Sequence, residues 1–124
     1  MSVLNVDAAA RGPDEFARQL NLLGITGVSV NGSWVSFDLV IPMGAYAGAT
    51  RRIAAEVPVD FPDMPPPGPH VSPPTIHPAG AVHASALGAD WVYWSRPTPG
   101  WATERSVRAW LRHVRSLFAQ VTSA

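Results

Sequence analysis

The chain has 124 residues, 47% of them apolar and 15% charged, with nine acidic and nine basic side chains. That length fits one domain spanning 1–124 with a core of its own, and the charge balance gives no global attraction for nucleic acid or an anionic membrane. With no cysteine, disulfides, thiolate metal sites and a thiol nucleophile are excluded.

Every basic side chain is arginine. Base composition explains this most simply, since Ala, Gly, Pro and Val are also abundant; a surface without ε-amines that could take isopeptide bonds is the sharper reading. No apolar run reaches the roughly 18 residues of a spanning helix, and the start lacks a charged-then-apolar signal pattern. The expectation is a cytoplasmic protein with no membrane association.

The first element expected is a helix. Pro13 suits its first turn, Asp14 and Glu15 complement the dipole, Phe16, Leu20 and Leu23 share a face, and Gly24 ends it. The period then changes from helical to alternating. Val28 and Val30 lead to Asn31-Gly32, a type I′ hairpin signal. Beyond it Val35, Phe37, Leu39 and Ile41 alternate with Trp34, Ser36 and Asp38. A glycine-rich turn over 44–48 leads to a third strand with Ile53, Ala55, Val57 and Val59 on one face.

Nine of the thirteen prolines lie between Pro58 and Pro78. Such a backbone lacks donors and cannot join a central ladder. Neither flank is long enough to be a separate domain, so the stretch reads as ordered chain crossing the surface, with a short strand at His70-Val71-Ser72. The last element is a helix capped by Thr103 and carrying Val107, Trp110, Leu111, Val114, Leu117, Phe118 and Val121. Arg105, Arg108, Arg112 and Arg115 form a stripe on another of its faces, either a solvated surface or a docking surface for an acidic partner.

This order of events resembles the ubiquitin-conjugating-enzyme (UBC) superfamily, and in particular its diverged bacterial members. Phe61-Pro62 with Pro65-Pro66 matches the family's Tyr-Pro-x-x-Pro-Pro turn. His77-Pro78 matches its His-Pro-Asn, and Trp94-Ser95-Arg96-Pro97 its Trp-Ser-Pro-like turn. The resemblance covers nearly the whole chain and rests on the order of all three motifs. It implies an α+β, UBC-like fold: an N-terminal helix, an antiparallel meander of about four strands, a proline-rich crossing and a C-terminal amphipathic helix. Phe61, Pro62, Pro65, Pro66, Pro78, Trp94 and Pro97 would be its scaffold. The implied role is a carrier in a ubiquitin-like conjugation pathway, with a ubiquitin-like protein and an activating enzyme as partners.

Two departures stand out. Ala79 occupies the place of the family's oxyanion-stabilising Asn. The cysteine position, counted from His77 and back from Trp94, falls at Leu87 or Ala86. Ser85, beside these, is the only aliphatic hydroxyl between Pro78 and Trp94. A serine can carry an acyl group as an oxyester once a base removes its proton. His83 is one candidate base, since i and i+2 face the same way in extended chain; His77 and Asp90 are others. Backbone N–H groups near Gly88 are candidates for the oxyanion site. Equally, Ser85 reads as an ordinary small residue in a Gly/Ala-rich loop.

His70, His77, His83 and Asp90 fit no short metal-ligand motif, so neither a metal nor a cofactor is expected. Trp91, Tyr93, Trp94 and Trp101 read as core packing or as a wall beside a bound peptide tail. A member of the same superfamily that binds a ubiquitin-like protein without transferring it is the alternative to the carrier. A structural subunit docking through the helix arginines is a further one.

Overall fold

The structure, a computed structural model, describes residues 10–123. Among these it is α+β: two helices and a six-stranded antiparallel sheet of order β1-β2-β3-β4-β6-β5. In chain order they are α1 (Gly12–Leu22), β1 (Thr26–Asn31), β2 (Trp34–Val40), β3 (Thr50–Glu56), β4 (His70–Ser72), β5 (Val82–Ala84), β6 (Val92–Trp94) and α2 (Val107–Ala119).

In α1, Pro13 stands in the first turn as expected, but Glu15 is buried. Its carboxylate takes hydrogen bonds from Arg18 Nε (2.7 Å) and Gln19 Nε2 (2.7 Å), so it remains charged, with its pKa held below the usual range chiefly by Arg18. Gln19 Oε1 in turn accepts from the Val107 amide (2.8 Å). One exposed donor at the start of α2 is thereby satisfied by the first helix. Leu23, expected on the apolar face, is instead the C-cap and 39% exposed, because the chain turns at Gly24 (φ +77).

The hairpin forms one residue later than Asn31-Gly32. Asn31 pairs with Trp34 across a Gly32-Ser33 loop. Gly32 has φ +62, and among the described residues Ala81 is the only non-glycine with positive φ. A positive angle at the first loop position alone is the requirement of a type II′ turn, not I′.

Period two then sorts β2 cleanly. Val35, Phe37 and Leu39 are buried, while Trp34, Ser36 and Asp38 face the other side. The inner face, with Ile53, Ala55 and Val71, meets Phe16 and Leu20 of α1 and Trp110, Leu111, Val114 and Phe118 of α2 in one core. Fully burying an aliphatic or aromatic side chain of this size contributes about 1.5–3 kcal/mol. β3 ends at Glu56, and Val59 lies beyond it in a turn, 83% exposed, rather than on the core face.

The proline crossing is ordered, and tryptophans hold it. It has few donors but many carbonyls. The indole N–H of Trp101 donates to Pro62 O (2.9 Å), that of Trp110 to Pro67 O (3.2 Å) and that of Trp94 to Thr75 O (2.9 Å). Phe61 is fully buried, edge-on to Phe16 at 5.3 Å. Gly68 lies so close to Trp94 that a Cβ would fall on its carbonyl oxygen.

Three features differ from expectation. The sheet has six strands rather than four, because 82–94 forms a hairpin of three-residue strands. Trp94 therefore ends β6 instead of opening a turn. The cap of α2 is Ser106, whose Oγ accepts from Ala109 N (3.2 Å). Thr103 sits in an earlier turn closed by its own amide on Gly100 O (3.0 Å).

Candidate functional site

The site lies on the sheet face away from the helices. The register aligns Ser36, Ala54, His70, Tyr93 and His83 in one row across five strands. Tyr93 stacks on His70 with centroids 4.6 Å apart, and Trp34 meets the same ring edge-on at 4.7 Å. Between these rings His70 is 7% exposed and Ala54 wholly buried.

Ser85 comes back over this face just after β5. Its Oγ is 2.8 Å from His70 Nδ1 and accepts from the Leu87 amide at 3.0 Å. With the oxygen already accepting from that amide, its own proton is free to point at Nδ1, an arrangement that takes the Nε2–H tautomer of His70. Burial lowers the His70 pKa from 6.5 to about 4, so the ring is neutral at pH 7 and able to accept. Nε2 has no hydrogen-bond partner among the described residues. Among the described residues no carboxylate orients the ring: the pair is a dyad, positioned by aromatic packing.

The residues chosen from sequence are distributed differently. His77 lies on the opposite face of the sheet, edge-on to Trp94 at 5.1 Å. Its Nδ1 accepts from Ala79 N (3.1 Å) and its Nε2 donates to Leu117 O (3.2 Å). Burial, with Arg96 nearby, lowers its pKa. Both nitrogens are thus committed to backbone, and the ring pins the crossing to α2. His83 is exposed, and Tyr93 (6.2 Å between centroids) stands between it and His70. The i, i+2 argument stops at Ala84, where β5 ends. Asp90 is exposed and has no side-chain hydrogen bond among the described residues.

The backbone at this loop is partly spent. Gly88 N–H donates to Ser85 O (3.2 Å), so it is not a free oxyanion donor. Ala86 N–H, one residue past Ser85, has no acceptor among the described residues. No group of three or more His, Asp or Glu side chains that could hold a metal occurs among those residues.

No family model, curated protein or solved structure matches this chain. The reading of the site therefore stands on its geometry.

The arginines split up. Arg105 precedes α2 and approaches Asp63 at 3.9 Å, and Arg112 bonds Glu104 at 3.0 Å. Arg108 and Arg115 have no ion pair among the described residues. Arg105 and Arg108 border a groove of about 520 Å³ between the end of α1 and the start of α2, beside the exposed Leu22 and Leu23. No helix among the described residues is long and apolar enough to cross a membrane.

The residue that sequence reasoning missed is His70. In sequence it stands out only as the start of a short strand and as one of four groups spaced too irregularly for a metal. Its pairing with Ser85 spans fifteen residues and depends on the β4–β6–β5 order. No periodicity along the chain carries that information.

Proposed function

We propose that this chain is a UBC-like carrier of a bacterial ubiquitin-like conjugation pathway, in which Ser85 replaces the usual cysteine and His70 is its base. The observation that carries the reading is the 2.8 Å contact between Ser85 Oγ and Nδ1 of a buried, neutral imidazole. A serine so placed has its proton acceptor in the correct form at neutral pH.

In the step proposed, the Ser85 oxygen attacks the C-terminal carbonyl of a ubiquitin-like protein held as a thioester on its activating enzyme. The Oγ–C bond forms as the proton passes to His70 Nδ1, and the C–S bond then breaks. The proton leaves with the departing thiolate, so charge and atoms balance. The Ala86 amide is the available donor for the developing oxyanion. A base with a pKa of about 4 gives little driving force, which makes the serine a slow nucleophile and the ester durable. Aromatic rings hold the base in line.

The test is intact mass after incubation with the ubiquitin-like protein, its activating enzyme and ATP. A gain of one carrier mass that resists thiol but yields to alkaline hydroxylamine is expected, and Ser85→Ala should abolish it. Ser85→Cys should convert it to a thiol-sensitive thioester.

A second reading is a module that binds a ubiquitin-like protein or a partner enzyme without transfer. It is favoured by the engagement of the Ser85 hydroxyl with both Leu87 and His70, and by the groove beside Arg105 and Arg108. Binding of the ubiquitin-like protein with no mass gain, unchanged by Ser85→Ala, would establish this reading and refute the carrier.

A further inference from the structure

Among the described residues β1 is the outermost strand of the sheet, with β2 its only neighbour. Its sequence, TGVSVN, has no charge and no proline, the usual guards of a free edge. All its residues but Val28 are exposed, and Val30 is 42% exposed although it lies on the core face opposite Val35. Only the start of the strand is protected. A bulge lies between Thr26 and Ser29, and the Gly27 carbonyl is taken by Arg52 Nη1 at 2.6 Å.

The free part has a definite pattern. Asn31 and Trp34 close a two-residue loop and so form a hydrogen-bonded pair. By alternation Ser29 also bonds inward, towards Ser36, while Val30 turns its N–H and C=O outward and the Val28 carbonyl, opposite the Ser29 N–H across their peptide, points outward as well. We propose that this edge pairs antiparallel with β1 of a second copy of the chain, about a two-fold axis at Ser29, merging the two sheets into one.

That register is self-complementary at every level. It sets Val28 against Val30 of the partner subunit, with the outward Val28 carbonyl facing an outward N–H, and the apolar side chains meet on the core face. Ser29 meets Ser29 of the partner subunit on the other face. An uncharged edge has nothing with which to select an acidic or a basic peptide, whereas a copy of itself opposes no like charges. The strand is short and its start is blocked, so the pairing buries less than the roughly 1,000 Å² of a stable interface. It is a weak dimer, with Kd on the order of 100 µM.

A chain without cysteine allows a direct test. In this register the Ser29 pair is not hydrogen-bonded, with Cα atoms about 4.5 Å apart, inside the range a disulfide spans. Ser29→Cys should cross-link under mild oxidation at least tenfold faster than Ser116→Cys, an exposed control on α2. Sedimentation equilibrium of the unmodified chain should show the dimer at about 500 µM, several times the expected Kd. Val30→Pro removes an outward donor and leaves the β1–β2 ladder intact, so it should be monomeric at that concentration. Should Val30→Pro fail to fold, Ser29→Lys, which sets like charges face to face, should give the same result. A monomer throughout, equal cross-linking of the two cysteine variants, or a dimer untouched by Val30→Pro or Ser29→Lys would overturn the proposal.

Discussion

The proline crossing and the Ser85 loop are neighbours in sequence and opposites in construction. Between Phe61 and His77 the chain is fixed by three indole hydrogen bonds, buried Phe61, Pro66, Gly68 and Pro69, and His77 bonded to α2. From Ala79 to Asp90 it is mostly exposed, and Ser85 is tied to the sheet by one side-chain contact, to His70. His70 lies within the crossing, at the start of β4. The stiff region therefore delivers the base, and the loosely packed region delivers the hydroxyl. Substitutions in the first should cost stability, and substitutions in the second should cost chemistry.

The largest effect is expected at Trp94. It is fully buried, bonds Thr75 O and packs on His77 and Phe118. Trp94→Ala should destabilise by about 3–5 kcal/mol in urea unfolding. A loss below about 1 kcal/mol would mean that the crossing is held by something other than its tryptophans.

Acid should act through the base. The folded pKa of His70 is about 4, below its ordinary 6.5. Between these values the unfolded chain binds a proton that the folded chain does not, so stability is full above pH 6.5 and falls as the pH drops towards 4. Up to about 3 kcal/mol is at stake for this one group. The depressed His77 adds to the loss with the same sign. His70→Gln should flatten the slope over this window in urea titrations at successive pH values. An unchanged slope would place the acid sensitivity elsewhere.

Gly68→Ala tests the close approach of the crossing to β6. Its Cβ has no room against the Trp94 carbonyl, and overpacking of this kind costs about 1–3 kcal/mol. Thermal unfolding reads it out. At the other extreme, Ser85→Ala gives up the bonds to His70 and Leu87 and should cost only about 1 kcal/mol while abolishing any adduct.

Much of the fold was legible because it is written in local periods. The α1 signals, the alternation of Val35, Phe37 and Leu39, and the apolar stripe of α2 each repeat over several turns or residues. Reading the prolines as an ordered crossing rather than a linker was also possible, from the shortness of both flanks. The β5–β6 hairpin was not legible, since a three-residue strand carries too little alternation to stand out. Thr103 and Ser106 are both good caps by chemistry. Thr103 is taken up in the turn over 100–103 around the buried Trp101, and the helix starts after Ser106. Ser85 could be picked out as a lone hydroxyl. Its partner could not, because the histidine it meets is the farthest of the three in sequence, and strand order alone separates the one on the same face from the one behind the sheet.

The most direct measurement needs no pathway partner: site-resolved labelling by a fluorophosphonate, in which Ser85 Oγ would displace fluoride at phosphorus. Labelling should fall on Ser85, slow at least tenfold in His70→Gln, and lose rate with acid near pH 4 rather than near 6.5. No labelling of Ser85, or labelling indifferent to His70, would contradict an activated serine and leave the pair as a structural strut.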